Sequence, residues 1–226
     1  MGEDILFMSV EFLKLGRAKF LTLMSIIEAG YSVLFSEIDV YEFRDPEQCE
    51  TANFPQDQTQ GCIYAGDNFD LEIQSNILPG KVAMAGSELN IGFFYLRSSV
   101  ATIAFLDEIV KCLKNNCGWD QSVFTSIVWE RQCCFVDDNS DMEHQCSVTN
   151  KCLQMRILSV YHFPTGGSGG LRRRRSRQFG IVPPEYYTNT KTCPVLVHCT
   201  GRTGLQAKLD CSRRVEDLYG NCSTGA

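Results

Sequence analysis

The chain alternates short apolar runs with stretches in which apolar residues recur every three or four positions. Residues 11–29 show this helical spacing and Gly30 ends the run, which predicts an amphipathic helix. The next apolar residues, Val33 to Phe35, predict a buried strand of a parallel sheet within residues 32–39. The first forty residues therefore read as a helix followed by a strand.

The same alternation continues downstream. It predicts three more strands and two helices, with the strands at 93–96, 155–161 and 195–197 and the helices beginning after Ser98 or Ser99 and at Asp120. Residues 45–82 are polar and predict a long surface loop with short pieces of structure, and residues 137–151 predict a crosslinked loop. Alternating strands and helices indicate a layered α/β domain, and 226 residues suit a single one.

Composition narrows the class of protein. Hydrophobic residues make up 44% and charged residues 21% of the chain, as is ordinary for a globular protein. The net charge of −6 argues against a general nucleic-acid-binding protein. No apolar stretch reaches the roughly 18 residues that a transmembrane helix needs, so we expect no membrane-spanning segment in this chain.

The chain contains twelve cysteines, too many for a typical cytosolic enzyme. An even number at this density predicts several disulfides and an oxidising compartment, with a pairing that the sequence does not determine. A zinc site is the alternative, since one stretch carries Cys133, Cys134, His144, Cys146 and Cys152.

Residues 166–177 differ in character from the rest of the chain. They combine glycine and serine with five arginines. Because like charges in a glycine-rich run repel one another, we expect a flexible, basic and solvated insert.

The most informative polar residues are Glu37 and Asp39. On a strand, side chains two apart share a face, so both carboxylates are expected together at the end of the strand in 32–39. Ligands of open α/β sheets bind at such strand ends, and paired carboxylates suit a divalent cation that also holds a nucleotide diphosphate. A solvated acidic turn is the simpler alternative.

Several phrases of the chain resemble the nucleotide-diphospho-sugar transferases of glycosyltransferase family 77. They are SVLFSEIDVYEFRDP (32–46), LNIGFFYLRSSVATIAFLDEIV (89–110), WDQSVF (119–124), LQMRILSVYHFPTGG (153–167) and VLVHCTG (195–201). The resemblance spans about residues 14–210 in unbroken order. It implies a GT-A fold, which is a Rossmann-like, mostly parallel sheet flanked by helices. It also implies that the chain, as one domain of residues 1–226, lacks the N-terminal nucleotide-binding strands of that fold.

The resemblance further implies a reaction. A sugar would pass from a UDP-sugar to a hydroxyl of a glycan or glycoprotein, with Mn²⁺ or another divalent cation and with retention of configuration, in the Golgi lumen or secretory pathway. The metal ligands would be Glu37, Asp39 and His198, with Glu37 standing where the family has Asp. Imidazole with carboxylates favours Mn²⁺ over Mg²⁺.

The same resemblance implies contacts with the donor for three further residues. Gly201 and Lys208 would contact the diphosphate, and Lys19 would contact the donor.

Two short phrases imply contacts with the transferred sugar. Asn90 and Gly92 match an Asn-x-Gly phrase whose amide binds sugar hydroxyls, and Asp120 and Gln121 match a Trp-Asp-Gln phrase whose acid lies near the transferred sugar. Simpler interpretations are a turn asparagine for Asn90 and a helix cap for Asp120.

Two further functions stay open. A catalytically inactive carbohydrate- or nucleotide-binding module would have the same fold, since Glu37 and Asn76 depart from the family pattern. The phrase HCTGRTG (198–204) also resembles the phosphate loop of cysteine phosphatases, with Cys199 as nucleophile, although Arg202 follows it too closely.

Overall fold

The computed structural model describes residues 9–43, 69–76, 89–137, 153–158, 163, 165, 194–199 and 205–219. The helices described are α1 (Val10–Glu28), α2 (Val100–Lys114), α3 (Asp120–Arg131) and α4 (Leu205–Tyr219). The strands described are β1 (Val33–Ser36), β2 (Val40–Glu42), β3 (Leu71–Ser75), β4 (Leu89–Leu96), β5 (Gln132–Asp137), β6 (Leu153–Ile157) and β7 (Leu196–His198).

The first two helices begin at serines that cap them. The Oγ of Ser9 accepts a hydrogen bond from the backbone N of Phe12 at 3.1 Å, and the Oγ of Ser99 accepts one from Thr102 at 3.1 Å. Gly30 follows α1 with φ of +89°, a conformation that glycine adopts without strain. These helices confirm the predictions from periodicity, with Ser99 as the cap of α2.

Five strands form the main sheet in the order β1-β4-β3-β6-β5. β4 is antiparallel to both β1 and β3, whereas β6 is parallel to both β3 and β5. The α/β class is therefore confirmed, with a mixed sheet in the described part of the chain. The prediction that Val33 to Phe35 lie in a buried parallel strand is wrong, because β1 is half-buried and pairs antiparallel with β4.

The central strand β3 lies within the stretch predicted to be a surface loop. All five of its residues are buried. Leu71 and Ile73 pack into the main core, and Glu72 and Gln74 alternate with them. Glu72 forms an ion pair with Arg156 on the adjacent β6. Because this partner lies far away in sequence, the polar residues of β3 did not indicate a buried strand.

The main core lies between the sheet and α1, α2 and α3. Phe124 lies among its largest side chains, and its ring centroid is 5.0 to 5.8 Å from those of Phe20, Phe94 and Phe105. A second, two-stranded sheet pairs β2 with β7 antiparallel. α4, which the sequence analysis did not predict, packs on this small sheet through Val215 and Tyr219.

Two disulfides occur among the described cysteines. Cys112 pairs with Cys117 at the end of α2, and Cys199 pairs with Cys211, which joins the end of β7 to α4. No helix in the described ranges is long and apolar enough to cross a bilayer. The predicted basic insert 166–177 lies outside the described residues, as do three of the five residues of the zinc alternative.

Candidate functional site

The two carboxylates of the acidic motif flank a tight turn between β1 and β2. The backbone N of Glu37 donates to the carbonyl of Gly92 at 2.8 Å, and the N of Val40 donates to the carbonyl of Glu37 at 3.2 Å. Ile38 stands at the tip and is 98% exposed, whereas Asp39 is only 3% exposed. The expectation that strand alternation places both carboxylates on one face is wrong: β1 ends at Ser36, and the turn brings them together.

His198 reaches this turn from the small sheet. It is the register partner of Val40, and the backbone N of Cys199 donates to the carbonyl of Asp39 at 3.0 Å. The Nε2 of His198 lies 3.4 Å from Oδ1 of Asp39 and 3.9 Å from Oε2 of Glu37. One ligand atom from each of the three residues lies within 4.8 Å of the others. The structure thus brings together all three residues expected to hold a metal.

Gly92 lies directly against the imidazole of His198. An added Cβ at Gly92 would be 1.8 Å from Cε1 and 2.5 Å from Nε2 of that ring, so a side chain has no space there. β4 is irregular at this point, because Phe94 lies opposite Ile73 while Asn90 lies opposite Gln74. The irregularity presents Gly92 to His198.

Asn90 stabilises the irregular part of β4. Its Oδ1 accepts from the backbone N of Gly92 at 2.9 Å, and its Nδ2 donates to Oδ1 of Asn76 at 3.0 Å. The side chain is buried in β4, so the interpretation of Asn90 as a turn residue before the strand is wrong. Asn90 and Gly92, both expected to bind sugar, therefore also have structural contacts at this site.

Asp39 is ionised at neutral pH. Burial raises the pKa of its carboxyl, but the contact and charge of His198 and then of Lys208 outweigh this effect and lower the pKa to about 2. Its Oδ2 forms an ion pair with Lys208 on α4. Its Oδ1 is buried and, among the described residues, makes no hydrogen bond. Lys208, expected at the diphosphate, thus lies at the edge of the group formed by Glu37, Asp39 and His198.

A lysine connects the cluster to α3. The Nζ of Lys19 lies 2.8 Å from Oδ2 of Asp120 and 3.4 Å from Oε1 of Glu37. α1 approaches Asp120 closely at Gly16, where an added Cβ would lie 2.9 Å from the Cβ of Asp120. Lys19 and Asp120 therefore lie beside the expected metal ligands. Gln121 follows on α3, with its backbone N 3.0 Å from Oδ1 of Asp120.

The three converging groups fit a divalent cation. An imidazole nitrogen and two carboxylates form a donor set of the kind that Mn²⁺ accepts. Oδ1 of Asp39 is a buried anionic oxygen that makes no hydrogen bond within the described part of the chain, and burying such a charge is costly unless a cation compensates it. Glu37 is more exposed than Asp39 and lies on the solvent side of the cluster.

The phosphatase interpretation is wrong for the described structure. Cys199 forms a disulfide with Cys211, and both residues are buried. A cysteine in a disulfide has no thiolate to attack phosphate. Gly201, expected at the donor diphosphate, lies outside the described residues.

A known protein family matches most of the chain. The family model for nucleotide-diphospho-sugar transferases matches residues 2–211. The chain belongs to this family. The match to this transferase family includes Glu37, Asp39 and His198, and it extends to Cys211 on α4.

Two curated relatives of the chain come from the plant Arabidopsis thaliana. The beta-arabinofuranosyltransferase RAY1 of Arabidopsis thaliana is 26% identical over 171 residues, covering 75% of this chain and 28% of that protein. The arabinosyltransferase RRA1 of the same plant is 27% identical over 115 residues, covering 47% of this chain and 28% of that protein. The chain thus spans less than a third of the length of these curated relatives.

A solved structure also aligns with the chain. It is a glycosyltransferase involved in the glycosylation of the major capsid of PBCV-1, and the alignment covers 93% of this chain and 82% of that one. The TM-score is 0.49 and the sequence identity is 11%.

The sequence analysis did not identify two residues that contact the site. Gln74 contacts His198, and Gly16 gives Asp120 the space it occupies. The signal for Gln74 was the alternation of apolar and polar residues in LEIQS (71–75), which is typical of a strand with one polar face. Nothing in the sequence distinguishes Gly16 from other helical glycines.

Proposed function

We propose that this transferase is a glycosyltransferase that moves a sugar from a UDP-sugar to a hydroxyl of a glycan or glycoprotein. The reaction would depend on a divalent cation held by Glu37, Asp39 and His198, and it would retain the configuration of the sugar. The observation that carries the proposal is the convergence of these three side chains around a buried carboxylate oxygen that has no hydrogen bond to any described residue. When bound, the cation would neutralise charge that develops on the departing diphosphate.

The charges of the site support an anionic donor. Glu37, Asp39 and Asp120 carry three negative charges, and Lys19 and Lys208 carry two positive ones. These five side chains together have a net charge of −1, which would repel a diphosphate. A divalent cation reverses that sign and makes the site attractive to it. A metal ion at this site would therefore account for the carboxylates and would favour binding of a nucleotide diphosphate.

The two lysines take distinct roles in this proposal. Lys208 already holds Oδ2 of Asp39, which leaves Oδ1 directed at His198 and the cation. Its side chain is about one third exposed, so its ammonium group also remains within reach of a phosphate oxygen on the solvent side. Lys19 sits between Glu37 and Asp120 and holds their carboxylates in place.

Arabinose is the first sugar to test. Both relatives described above are named as arabinosyltransferases, so UDP-arabinose in its furanose and pyranose forms should precede UDP-galactose and UDP-xylose in a donor panel. An acceptor hydroxyl would be offered on oligosaccharides and on a glycopeptide. The configuration of the product, read by NMR of its anomeric proton, tests retention.

Asp39→Asn is the variant that tests the proposal. The amide preserves shape but removes the negative charge from the buried oxygen, so release of UDP in the presence of Mn²⁺ should fall by roughly a thousandfold, or about 4 kcal/mol of transition-state stabilisation. The matched control is Asp107→Asn, because Asp107 is an exposed residue of α2 whose described partner is Lys111. UDP release is measured for each variant across the donor panel.

The outcomes separate the enzyme from a binding module. Equal activity of Asp39→Asn and wild type would contradict the proposed site. If wild type binds UDP and Mn²⁺ but releases no UDP from any donor, the protein is a binding module with a transferase fold. The two described disulfides support residence in the secretory pathway, where such bonds persist.

A further inference from the structure

Gln74 is a fully buried amide at the end of β3, and both ends of its side chain have partners. Its Nε2 donates to the carbonyl oxygen of Phe163 at 3.2 Å, and its Oε1 lies 3.3 Å from Nδ1 of His198. A carbonyl oxygen only accepts hydrogen bonds. The Phe163 carbonyl therefore determines which end of the amide faces it, and Oε1 must face the imidazole.

The orientation of Gln74 determines where His198 carries its hydrogen. Because Oε1 of an amide only accepts, the hydrogen of the neutral ring must be on Nδ1. Nε2 then carries the lone pair. That nitrogen faces the carboxylate oxygens of Asp39 at 3.4 Å and Glu37 at 3.9 Å. In this neutral tautomer three atoms that offer electron pairs converge, and they can share either a proton on Nε2 or a metal cation.

We propose that Gln74 is a positioning residue that holds His198 in the tautomer with hydrogen on Nδ1 and so presents Nε2 to a divalent cation. The binding of a cation by Nε2 rests on the proposed function, whereas the tautomer of His198 follows from the contacts of Gln74 alone. Outer contacts of this kind typically contribute about 10–100-fold to metal affinity. No feature of the sequence alone links positions 74 and 198.

The decisive measurement is the ¹⁵N NMR spectrum of the imidazoles in metal-free protein, at a pH where the rings are neutral. The chain has three histidines, and the spectrum of His198→Asn identifies the signals of His198 by their absence. In wild type, His198 should show hydrogen on Nδ1. In Gln74→Leu, which has no acceptor, the hydrogen should move to Nε2, where the carboxylates of Asp39 and Glu37 accept it. Gln74→Glu keeps an acceptor oxygen and should restore the wild-type tautomer.

Metal binding gives a second readout. Isothermal titration with Mn²⁺ alone should show about 10–100-fold weaker binding for Gln74→Leu and at least partial recovery for Gln74→Glu. Thr102→Val serves as control, because it removes a buried hydroxyl of α2 that contacts Ser99, and it should change neither readout.

Each outcome decides the proposal. A wild-type His198 with hydrogen on Nε2 overturns it without any variant, and so does a Gln74→Leu protein that keeps hydrogen on Nδ1. If wild type binds no Mn²⁺ while the tautomer still follows residue 74, the role of Gln74 stands and the metal site of the proposed function fails.

Discussion

Gly92→Ala gives the sharpest test of the geometry at the candidate metal site. Its Cβ would lie 1.8 Å from Cε1 of His198, so the ring must withdraw by about 1.6 Å to reach the 3.4 Å of an ordinary contact. Bonds from metals to protein ligands tolerate deviations of only about 0.2 Å. The displaced imidazole can no longer ligate a metal held by Glu37 and Asp39.

The expected loss of metal affinity follows from this displacement. Removal of an outer contact to a metal ligand alone costs about 10–100-fold, so displacing the ligand itself should cost about 100-fold or more. At a Mn²⁺ concentration 100 times its dissociation constant, wild type gains about 2.7 kcal/mol of folding stability, and a variant that binds about 100-fold more weakly gains about 0.4 kcal/mol. Overpacking should separately destabilise the metal-free variant by about 1–3 kcal/mol.

Chemical denaturation with and without Mn²⁺ measures both effects. Gly30→Ala is the matched control: Gly30 has φ of +89° and no atom within 4 Å of an added Cβ, so alanine strains the backbone without touching the site. It should lose about 1–2 kcal/mol of stability and keep the full Mn²⁺ effect. A Gly92→Ala protein that keeps the wild-type stabilisation by Mn²⁺ would show that His198 does not ligate the metal from the position described.

Two further variants test the supports of the site. Opening the disulfide with the double change Cys199→Ala and Cys211→Ala should cost about 3 kcal/mol in a denaturant titration, and it should also weaken Mn²⁺ binding because α4 is then free to leave the cluster. Lys19→Met removes the cation paired with the buried carboxylate of Asp120 and should lower the free energy of unfolding by about 3 kcal/mol. Lys111→Met breaks an exposed ion pair within α2 and should lower it by no more than about 0.5 kcal/mol.

Helices α1, α2 and α3 and strand β4 were predictable from sequence because their local signals agree with their tertiary roles, whereas α4 was not predicted. Ser9 and Ser99 cap runs with clear helical spacing, and the apolar residues of those runs form the core. β3 fails this condition. Its Glu72 is buried against Arg156, which lies 84 residues further along the chain. The local composition therefore predicted a surface loop where the structure has a central strand.

The family resemblance suggested the grouping of the three candidate metal ligands, but it did not give the geometry of their approach. The residue types suggested that Glu37, Asp39 and His198 bind one metal ion, but the sequence does not indicate that positions 39 and 198 lie close together. The meeting depends on the pairing of β2 with β7, and each of these strands has only three residues. Strands so short show little periodicity in their sequence. The helix that packs on them, α4, contributes Lys208, which forms an ion pair with Asp39.

Asn90 and Gly92 show why the roles of site residues are harder to predict than their positions. A polar amide and a glycine beside a metal motif suggest contacts with a ligand, and the same two residue types also suit an irregular strand. Here the amide of Asn90 bonds to the backbone of Gly92, and the bare Cα of Gly92 makes room for the imidazole of His198. Substituting either residue should therefore weaken metal binding before any sugar is present. Activity assays alone would assign such a loss to the donor, and Mn²⁺ titration of the free protein distinguishes the two causes.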